Sequence, residues 1–109
     1  METINGVDME EAMQRVMGNR ALIFRVLQGV VLEYDTHSFR ARLDIERGAF
    51  EEVRAFFHSI KGLAANVAAS ETFICCANGE QACIAKDSER ALDALDSLAI
   101  CISPFRKFN

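Results

Sequence analysis

The sequence predicts a single all-α domain, and three observations support this prediction. Apolar residues recur at steps of three and four over long stretches, the spacing of helices that pack one face against a core. Glycine, asparagine and aspartate residues separate these stretches at positions typical of helix ends. No alternating pattern of convincing length indicates a strand. With 109 residues, of which 50% are hydrophobic, the chain has the size of one domain with one core.

The first predicted helix is short. Asp8 is its expected N-cap, and Glu11 follows three residues later in the spacing of a capping box. We expect the helix to run to about Met17 and to stop at Gly18.

A second, much longer helix is predicted from about Arg20 to Arg47. Asn19 can cap its start, and Gly48 lies just past its end, where glycine is favoured. At ~1.5 Å per residue, a continuous helix of this kind is roughly 40 Å long. A kink at residues 35–36 is an alternative, because aspartate and threonine side chains compete for local backbone hydrogen bonds.

The first half of this long helix is more apolar than a core requires. Its apolar residues cover close to 200° of the helix surface, about twice the ~100° needed to face a core. The excess is either covered by the first helix or exposed as a docking patch. In the second case we expect Ile23 and Leu27 to contribute to partner binding.

The third predicted helix, over residues 49–67, carries a histidine on its solvent side. Its core-facing seam consists of Phe50, Val53, Phe57, Ile60, Ala64 and Val67. At 3.6 residues per turn, His58 lies roughly 130° from the middle of that seam, so we expect it to be exposed. The positions one or two turns from His58 hold Arg54, Ala55, Lys61, Gly62 and Ala65.

These residues suit a phosphoryl carrier. A neutral imidazole is a nucleophile near pH 7, and Lys61 can stabilise the negative charge of a phosphoryl group on His58. Gly62 leaves the approach to the imidazole open. We expect a partner to dock on Arg54, Ala55, Gly62 and Ala65 around the histidine.

Two further helices and a tail complete the chain. The fourth helix starts at Ser70, and the Asn78-Gly79 turn signal within it predicts a kink or an interruption. The fifth helix starts after the cap Asp87 and ends near Pro104. Its predicted seam is Ala91, Leu92, Leu95, Leu98, Ala99 and Ile102. Residues 103–109 form a tail that is either frayed, the preferred interpretation, or in contact with a partner.

The histidine segment resembles a known signature. His58-Ser59-Ile60-Lys61-Gly62, followed by the small residues at 64, 65, 68 and 69, is similar to the motif of histidine-containing phosphotransfer (HPt) domains. The resemblance covers roughly residues 6–102, including the start at Gly6-Val7-Asp8. Three positions depart from the family pattern: Ala49 replaces a usual aspartate, Ala68 a common glycine, and Gly79 a large apolar residue, although the glutamate that usually follows is matched by Glu80.

The resemblance implies both an architecture and a function. It implies an antiparallel four-helix bundle with a short additional N-terminal helix, in which His58 accepts a phosphoryl group from the aspartate of a response-regulator receiver domain and passes it to another receiver. The expected partners are receiver domains and a hybrid sensor histidine kinase. No cofactor is expected on this chain, since Mg²⁺ would reside on the receiver, and the protein would be a carrier rather than an enzyme in the strict sense. The alternative is a non-catalytic helical adaptor that docks such partners without carrying phosphate.

Composition argues against several other classes. Twelve basic and sixteen acidic residues give a net charge of −4 without a basic tract, so nucleic acid is not an expected partner. No apolar run is long enough for a membrane span and the start does not look like a signal peptide, so we expect a cytoplasmic monomer with reduced thiols. No nucleotide-binding loop or cysteine metal motif is present, and His37, the other histidine, has no assignable nucleophile or orienting acid.

Overall fold

The structure, a computed structural model, describes residues 3–108. In this range it contains five α-helices, one 3₁₀ helix and no strand, which confirms the all-α prediction. The helices are α1 (Met9–Arg15), α2 (Arg20–Glu46), α3 (Phe50–Asn66), α4 (Ser70–Ile84), α5 (Ser88–Ile102) and the C-terminal 3₁₀ helix (Ser103–Phe108).

Four of the helices enclose the core. α2 contacts α3, α3 contacts α4, α4 contacts α5, and α5 returns to α2, a set of contacts consistent with a helical bundle. The largest fully buried side chains come from α2, α3, α5 and the 3₁₀ helix: Ile23, Leu27, Ile45, Phe57, Ile60, Leu95, Leu98, Ile102 and Phe105. Burying each of these contributes about 1.5–3 kcal/mol of transfer free energy, so the shared core is the main source of stability.

The caps follow the sequence, with one exception at α1. Asp8 accepts a hydrogen bond from the backbone N–H of Glu11 at 3.1 Å, as an N-cap should. The reciprocal half of the predicted capping box is wrong, because the Asp8 N–H donates to the carbonyl of Ala68 and the Glu11 carboxylate pairs with Arg15. The backbone N–H of the α1 N-cap residue is therefore hydrogen-bonded to the α3–α4 connection rather than to the side chain of Glu11.

α2 is one unbroken helix. Asn19 caps it by accepting from the Leu22 N–H at 3.3 Å, and Gly48 follows it with φ at +78°. The α-helical hydrogen-bond pattern continues through residues 35–36, so no break occurs there. Arg106 engages the Asp35 side chain in a two-pronged ion pair at 2.8 and 2.9 Å.

The C-terminal tail is docked, and the preferred expectation of a frayed terminus is wrong. Phe105 is fully buried, and the ring of Phe108 meets the ring of Phe24 edge-on at 4.8 Å between centroids. Gln28 on α2 donates a hydrogen bond to the Phe108 carbonyl. Part of the excess apolar surface of α2 is thus covered by the end of the chain, in addition to the contact that α1 makes with α2.

α4 is also continuous, so the predicted interruption at Asn78-Gly79 is wrong. Its three cysteines, Cys75, Cys76 and Cys83, are buried in the core, and all are free thiols. Burial raises the pKa of Cys75 to about 12 and that of Cys83 to about 11, which disfavours their reactive thiolate forms. Within residues 3–108, no helix has the length and apolarity that crossing a membrane requires.

Candidate functional site

His58 lies on the outer surface of α3. Its side chain is 67% exposed, whereas the preceding residue, Phe57, is fully buried in the core. This is the orientation that the helical periodicity of the sequence predicts. One edge of the imidazole therefore faces solvent, where a macromolecular partner can reach it.

A buried carboxylate lies beside the histidine. Glu80, on α4, has a side chain that is only 9% exposed, and its Oε2 lies 3.4 Å from Nδ1 of His58. Its Oε1 lies 2.5 Å from Nζ of Lys61, and Arg54 Nη1 lies 3.8 Å from Oε2. The Lys61 contact lacks the angles of a hydrogen bond and is an ion pair. Three basic or titratable groups of α3 thus surround one carboxylate of α4, as a buried charge requires.

Gly79 allows α4 to bring this carboxylate to α3. A Cβ atom built on Gly79 would lie 2.6 Å from atoms of the Phe57 ring, a separation at which one of the two must shift. The two helices approach this closely only because residue 79 has no side chain. The next residue, Glu80, is thereby held against the ring of His58.

Glu80 is the functional residue whose role the sequence did not reveal. Glu80 matches the family pattern after Gly79, but the Asn78-Gly79 pair predicts a turn, and a turn at this point would separate Glu80 from His58. Gly79 itself was the signal that could have identified Glu80. A glycine inside an otherwise helical pattern also marks close packing of that helix against another element.

The geometry gives the two ring nitrogens different roles. A carboxylate 3.4 Å from Nδ1 favours the tautomer that carries its proton on Nδ1, because that proton then lies next to the negative charge. The lone pair is then on Nε2. Lys61 is 25% exposed and its ammonium lies 5.8 Å from the centre of the Phe73 ring, so it sits at the rim of the site between Glu80 and solvent.

Most of the predicted docking residues surround His58. Ala55 and Gly62 are exposed, and a Cβ on Gly62 would meet no atom within 4 Å. Arg54 is partly exposed and also pairs with Glu51 at 3.6 Å. Ala65 is half-buried, because Arg15 covers it and donates a hydrogen bond to its carbonyl at 2.6 Å.

The predicted contribution of α2 to docking is wrong in the residues named. Ile23 and Leu27 are fully buried in the core and offer no surface to a partner. Exposed apolar surface near the site comes from α4 instead, where Phe73 and Ile74 line a groove of about 480 Å³ together with Ala65. The sequence placed Phe73 on the right helix without showing that it remains accessible.

Comparison of the chain with known families, curated proteins and solved structures found no match. Among residues 3–108, no group of three or more histidine, cysteine, aspartate or glutamate side chains is arranged to hold a metal ion.

Proposed function

We propose that this protein is a histidine phosphotransfer protein that carries a phosphoryl group on Nε2 of His58 between receiver domains of a two-component phosphorelay. The observation that carries the proposal is the pairing of an exposed imidazole with a buried carboxylate on its Nδ1 side. This arrangement leaves one nitrogen free, oriented and accessible. The proposal includes an antiparallel four-helix bundle, for which the three-residue connections at 47–49, 67–69 and 85–87 are the supporting feature.

The transfer step uses the two ring nitrogens and Glu80. The Nε2 lone pair attacks the phosphorus of an aspartyl phosphate on the receiver, an N–P bond forms, and the P–O bond to the aspartate breaks with its electrons leaving on the carboxylate. The proton stays on Nδ1, so the ring gains positive charge during the attack. Glu80 compensates that charge, and this is a preorganised stabilisation that needs no rearrangement. The reverse step delivers the group to a second receiver.

Lys61 has a separate role. Its ammonium lies one helical turn from His58 and already faces the site through Glu80. Phosphoryl transfer is mostly positioning and charge stabilisation, so a cation at this distance lowers the energy of the negatively charged group as it approaches Nε2. Glu80 limits this effect by neutralising part of the lysine charge, and at the same time it holds the side chain in place.

The proposal is tested by transfer from a panel of radiolabelled, phosphorylated receiver domains. We expect acid-labile, alkali-stable label on this protein, as phosphohistidine shows, and none on His58→Gln. His37→Gln is the matched control, because His37 is an exposed histidine on α2 that pairs with Glu33 at 3.9 Å. Label that survives His58→Gln contradicts the proposal. Binding of receivers without any label supports the adaptor alternative instead.

A further inference from the structure

An exposed apolar stripe runs along the side of α2 that faces away from the core. Leu32, Phe39 and Leu43 are 67%, 74% and 42% exposed. Spaced seven and four residues apart, they share one face of the helix. The buried residues of α2, among them Ile23, Val30, Ala41 and Ile45, lie on the opposite face. Large apolar side chains aligned on an outward face mark an interaction surface.

Charged residues lie at both ends of this stripe. Arg25 precedes Leu32 by seven residues and Glu46 follows Phe39 by seven, so both lie on the same face of α2. Both are exposed, and neither forms an ion pair within residues 3–108. Arg42, which interacts with Glu46 at longer range, is already paired with Asp96 at 2.6 Å. The glutamate also lies in the last turn of α2, where the helix dipole disfavours a negative charge.

Two of the three stripe residues and the two charges are arranged symmetrically along α2, whereas Leu43 falls opposite Gln28. Arg25 and Glu46 are equally distant from the midpoint between Asp35 and Thr36, and so are Leu32 and Phe39. A two-fold axis through that midpoint places Leu32 against Phe39 of a second copy, with an Arg25–Glu46 pair at each end. We propose that this face of α2 is a homodimer interface in which the two α2 helices pair antiparallel.

The same charges select the orientation. In a parallel pairing, Arg25 would face Arg25 and Glu46 would face Glu46, and like charges across an interface oppose association. Antiparallel pairing converts both repulsions into attractions. It is also the isologous arrangement that most homodimers adopt, since one patch serves both copies.

Asp35 lies next to the proposed axis, where two aspartates would otherwise approach each other. Arg106 from the docked tail neutralises it through two hydrogen bonds, which hold the pKa of Asp35 below its usual value. The tail thereby removes a repulsion from the centre of the interface. No residue of α3 belongs to the stripe, so the pairing leaves His58 exposed in both copies.

Sedimentation velocity on the unphosphorylated full chain, over a concentration series from about 10 μM to about 1 mM at low salt, tests this inference. We expect a reversible monomer–dimer equilibrium. Arg25→Glu and Glu46→Arg are each expected to weaken it on the order of tenfold, because each change turns two attractive pairs into repulsive ones. Both positions are exposed, so neither change threatens the fold.

Two further samples make the test specific for the antiparallel register. The double variant Arg25→Glu/Glu46→Arg restores both pairs and is expected to dimerise like the wild type. An equimolar mixture of the two single variants is expected to form a heterodimer as tight as the wild-type dimer, although each variant alone dimerises more weakly. A wild type that stays monomeric at about 1 mM overturns the proposal. So does a dimer that the single variants leave unchanged or that the double variant fails to restore. These measurements involve no phosphoryl group, so their outcome does not depend on whether the proposed phosphotransfer function is correct.

Discussion

Oε2 of Glu80 lies 3.4 Å from Nδ1 of His58, across the boundary between two helices. The carboxylate is almost fully buried, whereas the imidazole is largely in solvent. The histidine is thus anchored on its protein side and free on its outer side. The first prediction concerns this contact and rests on the proposed function.

Glu80→Gln is expected to slow phosphoryl transfer to His58 on the order of tenfold, because it reduces the population of the reactive tautomer and removes the charge that compensates the ring. The fold is expected to survive, since glutamine has the same shape and Gly79 still admits close packing. Single-turnover transfer from a phosphorylated receiver measures the rate. Glu51→Gln is the matched control, because Glu51 pairs with Arg54 in the same network but is exposed and does not contact His58. Equal rates for the two variants would show that Glu80 has only a structural role.

Gly79→Ala is expected to destabilise the protein by up to about 2 kcal/mol. Alanine favours a helix by roughly 1 kcal/mol over glycine, but overpacking a core costs about 1–3 kcal/mol, and the new Cβ would overlap the fully buried Phe57 ring. Gly29→Ala on α2 is the control, since a Cβ there meets nothing within 4 Å. That change should raise stability by up to ~1 kcal/mol. Urea unfolding measures both, and equal stability of the two variants would contradict the close α3–α4 packing.

Features that depend on local sequence patterns could be predicted from the sequence. The α3 seam and the orientation of His58 follow from local periodicity, and the caps Asp8, Asn19 and Asp87 follow from hydrogen bonds within three residues of each helix start. Local patterns therefore predict the start of each helix to within one residue.

Contacts between elements were harder to predict. Whether Gly79 breaks a helix or packs against one depends on Phe57, which is distant in the sequence. Whether the C-terminal tail docks likewise depends on its contacts with Asp35 and Phe24 of α2. The tail sequence, a mixture of basic and aromatic residues, does not identify these partners. Ile23 and Leu27 are candidate docking residues in the sequence only because periodicity defines the apolar side of α2 but not which neighbour covers it.

Turn residues give a further prediction about stability. Lys86 and Ala68 both adopt left-handed backbone conformations, at φ of +54° and +52°. Such a conformation costs a residue with a Cβ roughly 1–2 kcal/mol, and glycine relieves it at an entropic cost of about 0.4–1 kcal/mol. Lys86→Gly, at an exposed position, is therefore expected to stabilise the protein by about 0.5–1 kcal/mol.

Ala68→Gly is expected to gain less, because it also removes a buried methyl group worth about 0.8 kcal/mol. Thermal melts of the two variants against the wild type measure the difference. If both variants gain equally, the methyl group of Ala68 contributes nothing to the packing at the α3–α4 turn.

The carboxyl group of Asp44 makes the stability of the fold depend on pH in the acidic range. Burial alone would raise its pKa, but hydrogen bonds from Arg47 at 2.9 Å and Arg40 at 3.1 Å outweigh burial and hold the pKa below its ordinary value of 3.8. A carboxyl group with a lowered folded-state pKa stabilises the fold above its unfolded pKa, and this stabilisation is lost as the pH falls through the folded-state pKa. Asp44→Asn is therefore expected to be about 1 kcal/mol less stable than the wild type near pH 7.

The difference between the two proteins is expected to shrink as the pH falls below 3.8 and through the lowered folded-state pKa, where the wild-type carboxyl group also becomes protonated. Urea unfolding at a series of pH values measures it. A difference that stays constant from neutral to acidic pH would mean that the asparagine disturbs packing rather than removing a charge interaction.

The last prediction concerns Gly62, one turn beyond His58 on the open face of α3. A Cβ at this position meets no atom within 4 Å, so Gly62→Gln is accommodated without strain, and the helix propensity of glutamine raises stability by several tenths of a kcal/mol. Transfer needs the phosphorus of the receiver within bonding approach of Nε2, and a displacement of about 1 Å can lower such a rate by about a hundredfold. Stability and transfer are thus expected to change in opposite directions. Ser59→Gln is the control, because Ser59 is exposed on the same helix but lies about 100° around it from His58. Normal transfer by Gly62→Gln, or a loss matched by Ser59→Gln, would show that receivers approach His58 from another side.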